Sequence, residues 1–131
     1  MPFVLDASAL LALMQSEPGA EVVDALLEDQ DCVASSVNMV EVGSKLIDKG
    51  LPPNQLARTL AASDVQVIDF DAEQATLCAQ LRAATRDLGL SLGDRACLAL
   101  ARGLQATAVT ADRAWADLDE AAIGVRVQLI R

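Results

Sequence analysis

The chain has 131 residues, of which 53% are apolar, with two Phe, one Trp and no Tyr; this length and composition predict a single domain over residues 1–131 with an aliphatic core, and they exclude a disordered chain. Histidine is absent, which excludes the serine and cysteine hydrolases that use a histidine base and removes the commonest ligand of zinc. The net charge of −9 taken alone argues against a nucleic-acid partner, although the five arginines between residues 82 and 113 outnumber the three acids of that stretch.

The first half of the chain predicts alternating strands and helices. In chain order these are a strand at 3–5, a helix after Asp6, a helix at 20–28, a strand at 32–36, a helix from Ser35 or Ser36 to 49, and a helix at 52–62. Breaks fall at Pro18–Gly19 and at Gly50, and Pro52–Pro53 suit the first turn of the last helix.

The second half continues the alternation. Its predicted elements are a strand at 65–70, one long helix from a cap at Asp71 to 88, a helix at 92–102, a strand at 106–112, a short helix containing Trp115, and a strand at 125–130. Strands that alternate with helices favour an α/β three-layer sandwich with a mostly parallel sheet.

Neither a membrane span nor a leader is expected. Every apolar run is shorter than the roughly 18 residues that cross a bilayer, and the N-terminus lacks the pattern of a signal peptide. The three cysteines form no CxxC pair, so we expect reduced core residues. These features predict a soluble cytoplasmic protein.

Four acids stand where a site would form. Asp6 and Asp112 follow predicted strands, and sites in open α/β sheets lie outside the carboxyl ends of strands. Asp94 and Glu41 lie on apolar helices. Clustered carboxylates repel one another unless a cation joins them, and oxygen ligands favour Mg²⁺ or Mn²⁺. Such an ion would activate water and stabilise charge on a phosphate.

Each acid also has a purely structural interpretation. Asp6 and Asp112 could cap the helices that follow them, and Asp94 could be a first-turn acid that complements the helix dipole. Glu41, flanked by valines, could lie on an exposed face. It is the occurrence of all four in a chain without other catalytic groups that favours a shared site.

Four segments together resemble a known family. They are FVLDASALLAL with Asp6, SSVNMVEVGSKL with Glu41, LSLGDRACLALA with Asp94, and AVTADRAWADL with Asp112. In this order and spacing they are similar to PIN-domain ribonucleases, and in particular to the VapC-type toxins of bacterial toxin–antitoxin pairs. The resemblance spans nearly the whole chain and implies a PIN-like α/β/α sandwich that hydrolyses RNA phosphodiesters with Mg²⁺ or Mn²⁺.

The resemblance also implies roles for the acids. Asp6 and Asp94 would be the main metal ligands, and Asp112 would complete the cluster directly or through water. Glu41 would orient the attacking water or bind a second ion. Gly93 would let the backbone approach closely.

Other side chains near these acids are candidates for support. Ser8 and Thr110 could hydrogen-bond the acids, and Asn38, one turn before Glu41, could position the site. Asp117 could be an outer acid or part of a solvated helix face.

The partners implied are RNA, a cognate VapB-type antitoxin and a second copy of the chain. Arg95 and Arg113 could meet RNA phosphates or form surface salt bridges. The antitoxin would lie over the acids, with a basic side chain reaching them, and residues 10–14 and 51–62 could form its groove.

Four other protein classes match parts of this sequence. A receiver domain would carry two adjacent acids after the first strand and a late lysine, and a haloacid-dehalogenase-type phosphatase would carry a second Asp at position 8, where this chain has Ser8. An RNA-processing PIN nuclease without an antitoxin, and an inactive PIN binding module, stay open.

Overall fold

A computed structural model describes residues 2–131, which form five strands and eight α-helices. The strands are β1 (Phe3–Leu5), β2 (Cys32–Ser35), β3 (Gln66–Ile68), β4 (Thr107–Thr110) and β5 (Arg126–Leu129). The helices are α1 (Ala7–Met14), α2 (Ala20–Asp29), α3 (Ser36–Asp48), α4 (Leu56–Ala61), α5 (Ala72–Gln80), α6 (Arg82–Thr85), α7 (Leu92–Leu104) and α8 (Glu120–Ile123). Short 3₁₀ helices lie at Pro53–Gln55, Arg86–Leu88 and Arg113–Asp117.

The sheet has the order β3-β2-β1-β4-β5, and every strand pair is parallel. The chain leaves β1 toward β2 on one side, whereas β4 lies on the other side of β1. The carboxyl ends of β1 and β4 therefore flank the point where the strand order reverses, which is the usual place for a site in an open parallel sheet.

Alternating side chains of the strands pack on opposite faces of the sheet. Val4 lies in a core with residues of α5 and α7, whereas its neighbour Leu5 lies in a second core with residues of α1, α2 and α3. This two-residue alternation is the side-chain period of a strand. Helices cover both faces, which confirms the predicted three-layer α/β/α sandwich. No helix within residues 2–131 has the length and apolar character that a membrane crossing requires.

The predicted helix from Asp71 to 88 is wrong as one element, because it divides into α5, α6 and a 3₁₀ turn. The buried hydroxyl of Thr85 donates to the carbonyl of Leu81 at 2.8 Å. Such back-bonding to the preceding turn bends helices. The segment then ends at Gly89, whose φ is +66°.

Helix α8 was not predicted. Asp119 caps it by accepting from the amides of Ala121 and Ala122, and Gly124 ends it with a φ of +70°. The predicted capping by Asp6, Ser35 and Asp71 is confirmed, as each accepts from an amide at the start of its helix.

Candidate active site

Asp6 is the most buried of the four acids, with 3% of its surface exposed. It caps α1: Oδ1 accepts from the amide of Ala9 at 2.8 Å and from the hydroxyl of Ser8 at 2.7 Å. The hydroxyl of Thr110 donates to Oδ2. Burial raises the pKa of Asp6 from 3.8 to about 6, outweighing the hydrogen bonds from Thr110, Ser8 and Ala9, and the charge of Asp94 adds to the rise.

A hydroxyl pair joins the ends of β1 and β4. Ser8 Oγ and Thr110 Oγ1 lie 3.2 Å apart, and each also accepts a backbone amide, from Ala111 at 2.9 Å and from Asp112 at 3.0 Å. Each hydroxyl has one proton and donates it to Asp6, so the 3.2 Å contact between the two oxygens shares no proton. The network thus orients the Asp6 carboxylate and ties the backbone of Asp112 to it.

Glu41 is held between α3 and α7. Asn38 Nδ2 donates to Glu41 Oε1 at 2.8 Å and to the carbonyl of Gly93 at 3.0 Å. A Cβ atom built on Gly93 would overlap the Glu41 carboxylate. Glycine is therefore required at position 93 for Glu41 to occupy its place, and the close approach expected at Gly93 is present in the structure.

Asp94 and Asp112 both carry structural hydrogen bonds. Asp94 forms a capping box with Ser91: its Oδ2 accepts from the Ser91 amide at 2.9 Å, while Ser91 Oγ accepts from the Asp94 amide at 3.2 Å. Asp112 accepts from the amide of Ala114 at 3.0 Å and caps the following 3₁₀ turn. The Asp94 carboxylate thus satisfies a free amide at the start of α7.

The four acids line one cavity of about 330 Å³. It opens where β1 and β4 end, and α1, α3 and α7 contribute to its walls. Its lining residues are Asp6, Ala7, Ser8, Leu11, Gln15, Glu17, Glu41, Lys45, Lys49, Asp94, Asp112 and Arg131. The fold therefore brings the four carboxylates, which lie in separate segments of the sequence, together around one cavity.

The donor set fits a hard divalent cation. Among residues 2–131, no three His, Cys, Asp or Glu side chains are placed so that they could together hold a metal ion. Mg²⁺ commonly uses only one or two protein carboxylates and completes its shell with water and substrate phosphate. Asp94 is close enough to Asp6 for its charge to raise the pKa of Asp6, so a hydrated cation between the two carboxylates would relieve that repulsion.

Five residues from the sequence-based set lie outside the cavity lining. Two of them, Asn38 and Thr110, are hydrogen-bonded to Glu41 and to Asp6. Arg95 donates through Nη1 to the carbonyl of Cys78 at 3.1 Å, which ties α7 to α5. Arg113 and Asp117 are exposed at the two ends of the 3₁₀ turn after Asp112. The three cysteines are free and buried, as expected.

Sequence reasoning missed three cations of the cavity, namely Lys45, Lys49 and Arg131. The lysines follow Glu41 by four and eight residues, a spacing that places all three on one helix face. This signal was available in the sequence. For Arg131 no local pattern existed, because its position follows from the pairing of β5 with β4.

Comparison with known proteins agrees with this architecture. The family model described as PIN domain matches residues 3–121, and no curated protein matches the chain. A chain of VapBC2 from Rickettsia felis, solved with a promoter DNA fragment, is similar at 18% identity and a TM-score of 0.73, with 98% of each chain covered.

Two further solved structures are similar to the chain. DNA-bound VapBC from Salmonella typhimurium gives 19% identity and a TM-score of 0.74, with 100% of this chain and 99% of that one covered. VapC20 of Mycobacterium tuberculosis, a toxin that cleaves the sarcin–ricin loop, gives 16% identity and a TM-score of 0.70, with 90% of this chain and 97% of that one covered. At these identities the likeness supports the fold.

Proposed function

The chain belongs to the PIN domain family, and from this premise we propose that it is a divalent-metal-dependent endoribonuclease acting as the toxin of a VapBC-type toxin–antitoxin pair. One observation carries the proposal: Asp6, Glu41, Asp94 and Asp112 line a single cavity at the carboxyl edge of a parallel sheet. The similar VapC20 is described as a toxin that cleaves the sarcin–ricin loop.

Asp6 and Asp94 would hold Mg²⁺ or Mn²⁺, with Asp112 joining through water. When bound, the ion would lower the pKa of water and stabilise charge on the phosphate. Because the hydroxyls of Ser8 and Thr110 both donate hydrogen bonds to Asp6, the carboxylate keeps a fixed orientation toward the cavity. A preset ligand needs little rearrangement when the ion and substrate enter.

Glu41 would accept the proton of the attacking water. Asn38 donates to Glu41 Oε1, which leaves Oε2 to receive that proton. Water oxygen forms a bond to phosphorus and the bond from phosphorus to the 3′ oxygen breaks, with a proton passing to the leaving oxygen. The products are a 5′-phosphate and a 3′-hydroxyl. Histidine is not needed for any of these transfers, in agreement with its absence from the sequence.

A VapB-type antitoxin would cover the acids in the cytoplasm, and the toxin would form a homodimer. Complexes named VapBC recur among the similar structures. Of the segments predicted to form its groove, residues 56 and 60 line an apolar groove of about 320 Å³ between α3 and α4. Residue 10 is buried in the core, and residue 11 lines the acidic cavity. We assign the antitoxin to the groove beside α4.

The proposal is tested by incubating the purified chain, free of antitoxin, with total bacterial RNA and Mg²⁺ or Mn²⁺. We expect cleavage that EDTA stops and that Asp94→Asn lowers by at least about 100-fold, since Asn keeps the helix cap but loses the ligand charge. Asp117→Asn, an exposed acid outside the cavity, is the matched control and should cut at the wild-type rate.

Two results would contradict the proposal. Cleavage that persists in Asp94→Asn would show a contaminant or a different site. A folded wild-type chain that cuts no RNA with either metal would favour an inactive PIN binding module.

A further inference from the structure

We propose that Lys45, Lys49 and Arg131 form a phosphate-binding rim that holds the RNA strand beside the carboxylates. This inference rests on the proposed ribonuclease function and identifies the surface that the substrate backbone occupies. All three side chains line the cavity that holds the acids, and all three are exposed. "Cation rim" below refers to these three residues.

The composition makes this clustering informative. The chain has ten basic residues against nineteen acids, and Lys45 and Lys49 are its only lysines. Both nevertheless lie at the same cavity, together with one of the eight arginines. An acidic protein that binds RNA must concentrate its cations where the backbone passes, because phosphate binding depends on local positive charge.

Helix α3 sets the spacing between the acids and the rim. Glu41, Lys45 and Lys49 follow one another at four-residue intervals, which puts them on one face about 6 Å apart along the axis. A strand whose scissile phosphate lies near Glu41 would therefore pass Lys45 and then Lys49 with successive phosphates. Lysine binds phosphate as a point charge and needs no fixed geometry.

The charged groups of the rim are supported by neutral partners. Lys49 Nζ donates to the side-chain oxygen of Gln15 at 3.0 Å, and Arg131 Nη1 donates to the carbonyl of Pro18 at 2.9 Å. Both partners follow α1, so the loop after α1 holds the two cations at the mouth of the cavity. Because these acceptors carry no charge, both cations keep further donors and their charge for an anion.

Arg95 and Arg113 do not fill this role in the structure. Arg95 is bonded to the Cys78 carbonyl, and Arg113 lies outside the cavity lining. The lysines do have a structural alternative, since Lys45 lies in the last turn of α3 and Lys49 is its C-cap, where cations complement the helix dipole. The test therefore needs a readout that helix stability does not move.

Binding of a fluorescent single-stranded RNA of about 12 nucleotides provides that readout. Anisotropy is measured with Mg²⁺ in the Asp94→Asn background, in which cutting is expected to be at least about 100-fold slower, between about 50 and 200 mM KCl. The logarithm of the binding constant falls as the logarithm of the salt concentration rises. Each lost phosphate contact reduces the magnitude of this negative slope by about 0.7 for a single strand. We expect Lys45→Gln/Lys49→Gln to lower the slope by about 1.4 and to weaken binding at least about tenfold.

Arg131 has a matched control on its own strand. Arg126 begins β5 at the opposite end of the sheet and is also exposed. We expect Arg131→Gln to lower the slope by about 0.7 and Arg126→Gln to leave both slope and affinity at the value of the background protein.

The outcomes separate this inference from the function on which it rests. If the wild-type chain cuts RNA while the lysine variants keep the affinity and the salt slope, the RNA-binding role of the cation rim is overturned and the proposed ribonuclease function is retained. If the chain does not cut RNA but the lysine variants lose RNA binding as expected, the rim stands without the nuclease. If a fluorescent oligoglutamate peptide needs the lysines and RNA does not, the rim serves an acidic protein segment and the RNA assignment is overturned.

Discussion

Asp6 is a buried carboxylate that receives three hydrogen bonds and still has a raised pKa, of about 6. The folded chain therefore binds a proton at this side chain that the unfolded chain, with a pKa of 3.8, has already released. Between those two values the folded state loses stability as pH rises, and above about pH 6 the loss is complete. A shift of this size corresponds to about 3 kcal/mol.

We predict that Asp6→Asn removes this loss. In EDTA, the variant's gain in unfolding free energy over the wild type should grow as pH rises from about 4 to about 6 and should reach up to about 3 kcal/mol near pH 7. Urea unfolding across this range measures it, with Asp117→Asn as the exposed control. A difference that is constant with pH would show that the folded-state pKa of Asp6 is not raised.

Gly93 permits Glu41 to occupy its position, so we predict that Gly93→Ala lowers RNA cleavage by at least about tenfold while the protein stays folded. The added methyl overlaps the Glu41 carboxylate, which must swing away on its flexible side chain. Gly103→Ala is the matched control in the same helix, because its Cβ would meet only Leu77 Cδ1, at 4.0 Å. That control should cut normally and gain about 0.5–1 kcal/mol.

At the scale of elements, the contact between α3 and α7 both docks two helices and sets Glu41. We predict that Asn38→Ala costs about 1–3 kcal/mol in unfolding free energy, because Asn38 is buried and bonds across the contact. RNA cleavage should also fall at least about tenfold. Ser44→Ala, on the exposed side of α3, should change the unfolding free energy by less than about 0.5 kcal/mol. Wild-type cleavage by Asn38→Ala would exclude a positioning role.

The elements that sequence predicted well are those whose signals are local. Strand β1 and the starts of α1 and α2 have the predicted bounds, since apolar runs, capping side chains and Pro18–Gly19 act within a few residues. The break at Thr85 escaped prediction because it depends on burial, which turns a hydroxyl toward the Leu81 carbonyl. The helix propensities of the residues in this segment do not depend on that burial, so they do not indicate the break.

The candidate site also combines a part that local sequence predicts with a part that depends on the tertiary fold. The four acids could be chosen from the sequence because the strand ends and the family-like segments mark them. Their convergence on one cavity depends on strand order, which pairs Leu5 of β1 with Val109 of β4, 104 positions later in the chain.

At the scale of the whole molecule, the net charge of −9 is opposed by a local group of cations at the mouth of an acidic cavity. The acids repel one another and the cations of the rim offset only part of that repulsion. A divalent cation bound between Asp6 and Asp94 would relieve the strongest part, because it favours the charged form of the one acid whose burial is nearly complete. Metal binding and folding should therefore be coupled.

We predict that Mg²⁺ at about 100 times its dissociation constant stabilises the folded chain by about 2.7 kcal/mol near pH 7, which for this size raises Tm by about 10 °C. The rise should shrink near pH 5, where Asp6 is protonated in the folded state. It should be absent from Asp6→Asn/Asp94→Asn, whereas KCl at equal ionic strength should act alike on both proteins. An equal Mg²⁺ effect on the wild type and the double variant would place the cation elsewhere on the acidic surface, since nonspecific screening does not need these two carboxylates.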